Sequence, residues 1–160
     1  MKHLLAMVAL AFCGSASADA LTSATITLAH VDEASDKCDV FAIDKLLHTE
    51  YKGVLTIRRP GESTNDATTI DKSDAIEIAA ECRKTKLFRS TTSRTIEKAE
   101  IVAPGRVILT GNYYSEVRPL DSKEAAATGR FISTMLCTGR YECKMKADAI
   151  MVRVGPIPSE

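Results

Sequence analysis

The sequence predicts an α+β fold, in which about three helices precede a run of antiparallel strands. Two observations support this fold class. In the first half of the chain, apolar residues recur at helical spacing. From Lys86 onward they alternate with polar residues, and turn signals separate the predicted strands. About 140 residues remain after a predicted leader, which is enough for one domain with a single hydrophobic core. The predicted domain covers residues 19–160.

The first predicted helix covers residues 20–35. Asp39 is a good N-cap for a second, short helix, because its side chain can accept hydrogen bonds from the first backbone N–H groups. We expect His48 and Thr49 to end this helix, and Gly53 to close the segment before a short strand.

The third predicted helix begins at Ser73 and Asp74, after a loop rich in Pro, Gly, Ser and Asn. Asp74 and Glu77 have the spacing of a capping box. Cys82 lies on the apolar face of this helix, so we expect its side chain to point inward.

Four strands follow as two hairpins. Residues 94–102 and 106–118 flank an Ala-Pro-Gly turn, and residues 130–137 and 143–154 flank a second turn at Gly139. These hairpins form the sheet of the predicted α+β domain.

The first 18 residues are typical of a secretory signal peptide. A basic start is followed by an apolar run at residues 4–12, and Ala16 and Ala18 occupy the small-residue positions of a cleavage site. The run is about half of the ~20 residues that span a bilayer, which disfavours the alternative of a retained anchor. A lipoprotein signal at Cys13 is a second alternative. We expect a periplasmic or secreted protein, cleaved near Ala18 and without membrane contact afterwards.

Four cysteines follow this leader: Cys38, Cys82, Cys137 and Cys143. An even number in an exported chain predicts two disulfides. Four cysteines allow three connectivities, among which we prefer Cys38–Cys82 with Cys137–Cys143. Free thiols are an alternative, whereas a metal site is disfavoured because the histidines lack zinc-type spacing to any cysteine.

The charge balance and the missing motifs exclude several classes of function. The chain has 21 basic and 21 acidic residues, and removal of the leader takes one lysine. Nucleic-acid-binding domains usually carry a basic excess, so no nucleic-acid partner is expected. The sequence has no glycine-rich phosphate loop and no G-x-S-x-G nucleophile motif. We expect no cofactor.

Several motifs, in order, resemble the nuclear transport factor 2-like superfamily, in particular its SnoaL-like and calcium/calmodulin kinase association-type domains. Residues 39–54 (DVFAIDKLLHTEYKGV) match a capped family helix, and residues 107–113 (VILTGNY) match a family strand. Residues 138–141 (TGRY) match a hairpin turn of D-G-R-W type. The resemblance covers about residues 36–154 and implies a cone-shaped, cystatin-like sheet that curves around the helices and forms a pocket.

Enzymes of this superfamily resemble one another in placing acid–base residues in the pocket. Glu50 stands where relatives often carry an aspartate, and His48 lies close to it. A general base at Glu50 would need its pKa raised by burial. Alternatively Glu50 contacts a ligand, is solvated, or pairs with Arg58 or Arg94, while His48 is a cation favoured at a helix end.

The expected ligand pocket is lined by Tyr51, Tyr113, Tyr114, Ser133 and Met135. A methionine-bearing apolar strand face suits an adaptable cavity, and it equally suits ordinary core packing. We therefore predict an exported domain that binds a small hydrophobic ligand or another protein. The alternatives are a cofactor-independent isomerase, dehydratase or cyclase, and a homodimeric assembly module that associates through its exposed sheet face.

Overall fold

The computed structural model describes residues 2–61, 65–85, 88–119, 125–139 and 142–156, with side chains from residue 17 onward except 88–90 and 117–119. Over these ranges the elements are α1 (Lys2–Asp36), α2 (Val40–Leu46), β1 (Leu47–Arg58), β2 (Asp66–Asp71), α3 (Lys72–Thr85), β3 (Phe88–Ala103), β4 (Arg106–Pro119), β5 (Ala125–Thr138) and β6 (Glu142–Gly155). The predicted α+β class is confirmed.

The described strands form one curved, open sheet in the order β2-β1-β6-β5-β4-β3. Neighbouring strands are antiparallel, as expected, except β1 and β6, which run parallel with Val54 beside Ala149. A parallel pair needs a long connection. Here the whole chain from β2 to β5 connects the two strands. The sheet is therefore mixed, and the strand order places β2 and β3 at its edges.

Helix α1 packs on the inner face of the sheet and supplies part of the core. Ala24, Leu28 and Val31 are at most 5% exposed, and they form one cluster with Leu109 of β4 and Met135 of β5. Full burial of a side chain such as Leu28 contributes roughly 1.5–3 kcal/mol. The predicted helix at residues 20–35 is therefore present, and it continues to Asp36.

Helix α2 begins where the sequence predicts. The Asp39 side chain accepts hydrogen bonds from the backbone N–H groups of Phe41 and Ala42, each at 3.1 Å. This contact satisfies donors that the first helical turn would otherwise leave without partners. The predicted N-cap is confirmed.

The predicted end of α2 is wrong. The helix stops at Leu46, and β1 continues through His48 and Gly53 to Arg58. Leu47 is 2% exposed and lies beside Met145 of β6, so sheet pairing and core burial outweigh the helical pattern at this point.

Helix α3 begins at Lys72, one residue earlier than predicted. Asp71 Oδ1 accepts from the Asp74 N–H at 3.0 Å, and Asp74 Oδ2 accepts from the Asp71 N–H at 2.8 Å. This reciprocal contact is a capping box in which Asp71, not Asp74, is the N-cap, so the predicted Asp74–Glu77 pairing is wrong. Strand β2 precedes this helix, where no strand was predicted; only its first residue, Asp66, lies in the predicted loop at residues 59–66.

Both preferred disulfides are present. Cys38–Cys82 joins the connection after α1 to the inner face of α3. Cys137–Cys143 joins directly paired residues of β5 and β6, next to a turn in which Gly139 has a φ of 77°. A positive φ of this kind favours glycine, so Gly139 fits the predicted turn, whose next residues, Arg140 and Tyr141, lie outside the described ranges.

Candidate functional site

The helices and the inner face of the sheet line a partly open cavity of about 320 Å³. Much of its wall is apolar, with Val31 from α1, Ile43 from α2 and Ala79 from α3. Polar side chains that also line it include Asp32, Tyr51, Arg94, Tyr113 and Asp148. An apolar cavity with a few convergent polar groups is the usual form of a small-molecule site.

The strand register gathers the polar side chains on one face of the sheet. Arg94 of β3 is paired with Tyr113 of β4, and Ser133 of β5 is paired with Asp148 of β6. Directly opposed residues of antiparallel strands have their side chains on the same face. From the edge strand, Arg94 reaches across this face, and its guanidinium carbon lies 5.1 Å from the ring centroid of Phe131.

Arg94 and Asp148 form a bidentate ion pair beside the cavity. Arg94 Nη1 donates to Asp148 Oδ1 at 2.8 Å, and Nη2 donates to Oδ2 at 2.9 Å. The Ser133 hydroxyl donates to Asp148 Oδ1 at 2.7 Å. Both charged side chains are at most 6% exposed. Burial opposes the charge of Arg94, but Asp148 and Asp32 outweigh that effect and hold the pKa of Arg94 above its usual value.

Asp32 of α1 is less well satisfied than Asp148. Its Oδ1 lies 2.9 Å from Arg94 Nε, but the Nε–H does not point at an acceptor, so we describe the contact as an ion pair. Among the described residues, no aligned hydrogen bond to the Asp32 carboxylate is formed. Burial raises the pKa of Asp32 from 3.8 to about 6, which Arg94 opposes and Asp148 reinforces. A carboxyl group with this pKa exchanges its proton close to neutral pH.

The two cavity tyrosines are neutral hydrogen-bonding groups. Burial raises the pKa of both Tyr51 and Tyr113 above the usual phenol value. Their hydroxyl groups therefore keep their protons at physiological pH and can each donate or accept a hydrogen bond.

A second, more open cleft of about 540 Å³ borders the same Asp32–Arg94 contact, between α1 and the edge strand β3. Asp36 accepts hydrogen bonds there from the Thr92 N–H at 2.7 Å and the Thr92 hydroxyl at 2.8 Å. Glu33 forms an ion pair with Lys37. The last turns of α1 therefore carry three carboxylates, of which Asp32 alone lines the inner cavity.

The structure brings together part of the predicted ligand pocket. Tyr51 and Tyr113 line the cavity, and Ser133 belongs to the Arg94–Asp148 network beside it. Met135 is fully buried in the hydrophobic core. Tyr114 lies on the outer face of β4, where its hydroxyl donates to Glu116 at 2.6 Å.

The two catalytic candidates from the sequence lie outside the lining of this cavity. The Glu50 side chain is 74% exposed and pairs with Lys146, rather than with Arg58 or Arg94. The bond from Lys146 lowers the pKa of Glu50, whereas a general base needs a raised one. His48 Nδ1 accepts from the Glu50 N–H at 3.1 Å. Catalysis by either residue remains a prediction.

Asp32, Arg94 and Asp148 were not predicted to be site residues, although the sequence contains a signal for Asp32 and for Arg94. Asp32 follows Leu28 at i+4, so the helical period places a carboxylate on the buried face of α1. Arg94 alternates with Ile96 on β3, so it lies on the same side of the strand. A charged residue at an inward-facing position is unusual enough to mark a site.

Neither a metal centre nor a membrane span is found in the part of the chain that the structure describes. No three His, Cys, Asp or Glu side chains within these ranges are grouped so that they could hold a metal ion. No described helix is both long and apolar enough to cross a bilayer.

No family model and no curated protein sequence matches the chain. Solved structures do match it. A Planctomyces limnophilus protein is 19% identical with a TM-score of 0.61, over 85% of this chain and 96% of its own. A nuclear transport factor 2-like protein of Cytophaga hutchinsonii is 12% identical with a TM-score of 0.55, over 80% and 93%.

The chain has the nuclear transport factor 2-like fold. A hexachlorocyclohexane dehydrochlorinase of Novosphingobium barchaimii shares it, at 9% identity and a TM-score of 0.63 over 87% of this chain and 90% of the enzyme. The family resemblance inferred from the sequence is therefore confirmed at the level of fold. Because one fold hosts many functions, the activity has to be argued from the cavity itself.

Proposed function

We propose that this nuclear transport factor 2-like domain binds a small, largely apolar molecule in the cavity between its helices and its sheet. The cavity carries the proposal. Its volume of about 320 Å³ falls at the lower end of the usual range for ligand sites. Its walls combine aliphatic side chains with the hydroxyl groups of Tyr51 and Tyr113, which would orient a ligand through one or two hydrogen bonds.

The test is native mass spectrometry of the protein purified from its own host, followed by solvent extraction. We expect a reproducible small molecule that leaves when the protein is denatured. The variant Ala75→Phe fills the cavity from α3 and should lose this molecule. Ala80→Phe adds the same ring to α3 at a position outside the described cavity lining and should retain it. Loss from both variants, or an empty wild-type protein, would count against the proposal.

A second candidate function is acid–base catalysis at Asp32. The observation that favours it is a carboxyl group with a pKa of about 6 beside an apolar cavity. The extracted molecule should then exchange a carbon-bound hydrogen for deuterium when it is incubated with the protein in D₂O. Asp32→Asn should abolish the exchange, whereas Glu50→Gln and His48→Ala should not. Exchange that depends on Glu50 or His48 would favour the residues selected from the sequence instead.

A third candidate function is assembly through the outer face of the sheet. Val54 of β1 and Ile132 of β5 both lie beside Ala149 of β6, and Met151 follows on the same face. Val54, Ile132 and Met151 are 39%, 53% and 63% exposed. This apolar row across three neighbouring strands would suit a self-complementary contact in a homodimer.

We also propose that the protein is exported and that its signal peptide is cleaved near Ala18. Two disulfides are in keeping with an oxidising compartment such as the periplasm. The first described side chains that pack on the core, Ala20 and Leu21, follow this cleavage site. N-terminal sequencing of protein from the periplasmic or extracellular fraction should begin at or near Asp19, and an intact leader would contradict the proposal.

A further inference from the structure

The cluster of charges beside the cavity contains more negative than positive charge. Arg94 contributes one positive charge, whereas Asp32 and Asp148 contribute two negative charges when both are ionised. An uncompensated charge is costly in a buried site, where solvent cannot stabilise it. The cluster therefore favours either a proton on Asp32 or a positive charge from a bound molecule.

The uncompensated charge lies on Asp32 rather than on Asp148. Both oxygens of Asp148 accept hydrogen bonds from Arg94, and one also accepts from Ser133. Asp32 has one ion-pair contact, to a nitrogen whose N–H is not aligned with an acceptor. A carboxylate has about four acceptor positions, so most of the capacity of Asp32 is available to a ligand.

We propose that the cavity takes small apolar amines, with the ammonium group of the ligand paired to Asp32 and its apolar part against Val31 and Ile43. This inference rests on the proposed binding function and adds the chemical class of the ligand. The ammonium group would supply the charge that the cluster lacks, and it would donate charge-assisted hydrogen bonds to the carboxylate.

The rest of the cavity suits a cation and disfavours an anion. The ring of Tyr51 belongs to the lining, and the faces of aromatic rings attract ammonium groups. The Tyr113 ring already has a cation beside it, because the Arg94 guanidinium carbon lies 5.4 Å from its centroid. Arg94 offers little to a carboxylate ligand, because both of its terminal nitrogens are bound to Asp148 and its Nε is inaccessible to solvent.

The experiment is isothermal titration calorimetry at a pH of about 7.5 with phenethylamine, phenethyl alcohol and phenylacetate, which share an aromatic ring and differ in charge. We expect the amine to bind at least about tenfold more tightly than the alcohol, and phenylacetate to bind most weakly. At a pH of about 5, where Asp32 holds its proton, the preference for the amine should fall.

Two variants assign the preference to Asp32. Asp32→Asn should reduce the preference for the amine to less than about threefold. Glu33→Gln removes the next carboxylate of α1, which does not line this cavity, and should leave the preference unchanged.

The outcomes separate this inference from the function on which it rests. Binding of phenethyl alcohol without a preference for the amine would overturn the inference and leave the binding function intact. An equal loss of the preference in Asp32→Asn and Glu33→Gln would also overturn it, because a general surface charge effect would then explain the result. Binding of none of the three probes, together with an empty protein from the native host, would overturn both.

Discussion

At the scale of single residues, Arg94 holds the charged side of the cavity together. Its side chain is 6% exposed, and it is the partner of both Asp32 and Asp148. Removal of one partner from a buried ion pair leaves an uncompensated charge and typically costs 3–5 kcal/mol. A surface ion pair contributes far less, because water and salt screen it.

We therefore predict that Arg94→Met lowers the free energy of unfolding by about 3–5 kcal/mol in urea denaturation at neutral pH. Arg130→Met is the matched control, because Arg130 is 59% exposed in its ion pair with Glu97. The control should lose no more than about 1 kcal/mol. Equal losses in the two variants would show that the Arg94 cluster is not a buried electrostatic network.

Asp32 should make folding less favourable as the pH rises. The folded protein holds this proton up to a pH of about 6, whereas an unperturbed aspartate loses it near 3.8. Protonation therefore stabilises the fold below 3.8, and this contribution is lost as the pH rises through 6. The shift corresponds to at most about 3 kcal/mol.

The expected result is that Asp32→Asn, which stays neutral at every pH, gains stability over wild type above pH about 7 and differs little from it at pH about 4. Thermal denaturation of both proteins across this range measures the difference. An equal loss of stability at both pH values would mean that the ion pair with Arg94 outweighs the cost of burial.

The residues of the site were only partly predictable from the sequence. Tyr51 and Tyr113 could be selected, because aromatic residues at inward-facing positions are visible in the pattern. Asp32 and Asp148 lie more than 100 residues apart in the chain and meet only through Arg94 of an edge strand. Local periodicity contains no information on such a distant contact. The contact depends on the strand order, in which β6, the strand of Asp148, lies in the middle of the sheet.

Among the helices and strands, the predictions were correct where a local sequence signal was not opposed by long-range packing. Asp39 caps α2, and Cys137 and Cys143 close a hairpin, since each interaction lies within a few residues. The end of α2 was misjudged because Leu47 fits the helical period but gains more as a buried strand residue beside Met145. Strand β2 was missed because its polar, exposed side chains resemble a loop.

The two disulfides should contribute unequally to stability. Cys38–Cys82 closes a separation of 44 residues, whereas Cys137–Cys143 closes one of 6. In the chain-entropy model these loops correspond to about 4 and about 2 kcal/mol. We expect the double variant Cys38→Ser, Cys82→Ser to lose more stability in urea than the double variant Cys137→Ser, Cys143→Ser. The reverse order would indicate that the β5–β6 hairpin depends on its bridge for native packing.

At the scale of the whole molecule, the two faces of the sheet suit different tasks. The inner face carries the charged cluster and the cavity, with Leu109, Phe131 and Met135 in the core around them. The outer face carries the apolar row of Val54, Ile132 and Met151. Because side chains alternate between the faces along each strand, changes on the outer face need not disturb the cavity.

The apolar row on the outer face makes the oligomeric state of the protein a direct test of its role. If the apolar row is a contact between two copies, light scattering of the wild-type protein should give a dimeric mass at micromolar concentration. The double variant Ile132→Lys, Met151→Lys should give a monomeric mass, because it places charges at the centre of the contact. Phe41→Lys is the control, since Phe41 is 70% exposed on α2, away from the sheet. It should stay dimeric. A monomeric wild-type protein would leave the row as ordinary exposed surface and restrict function to the cavity.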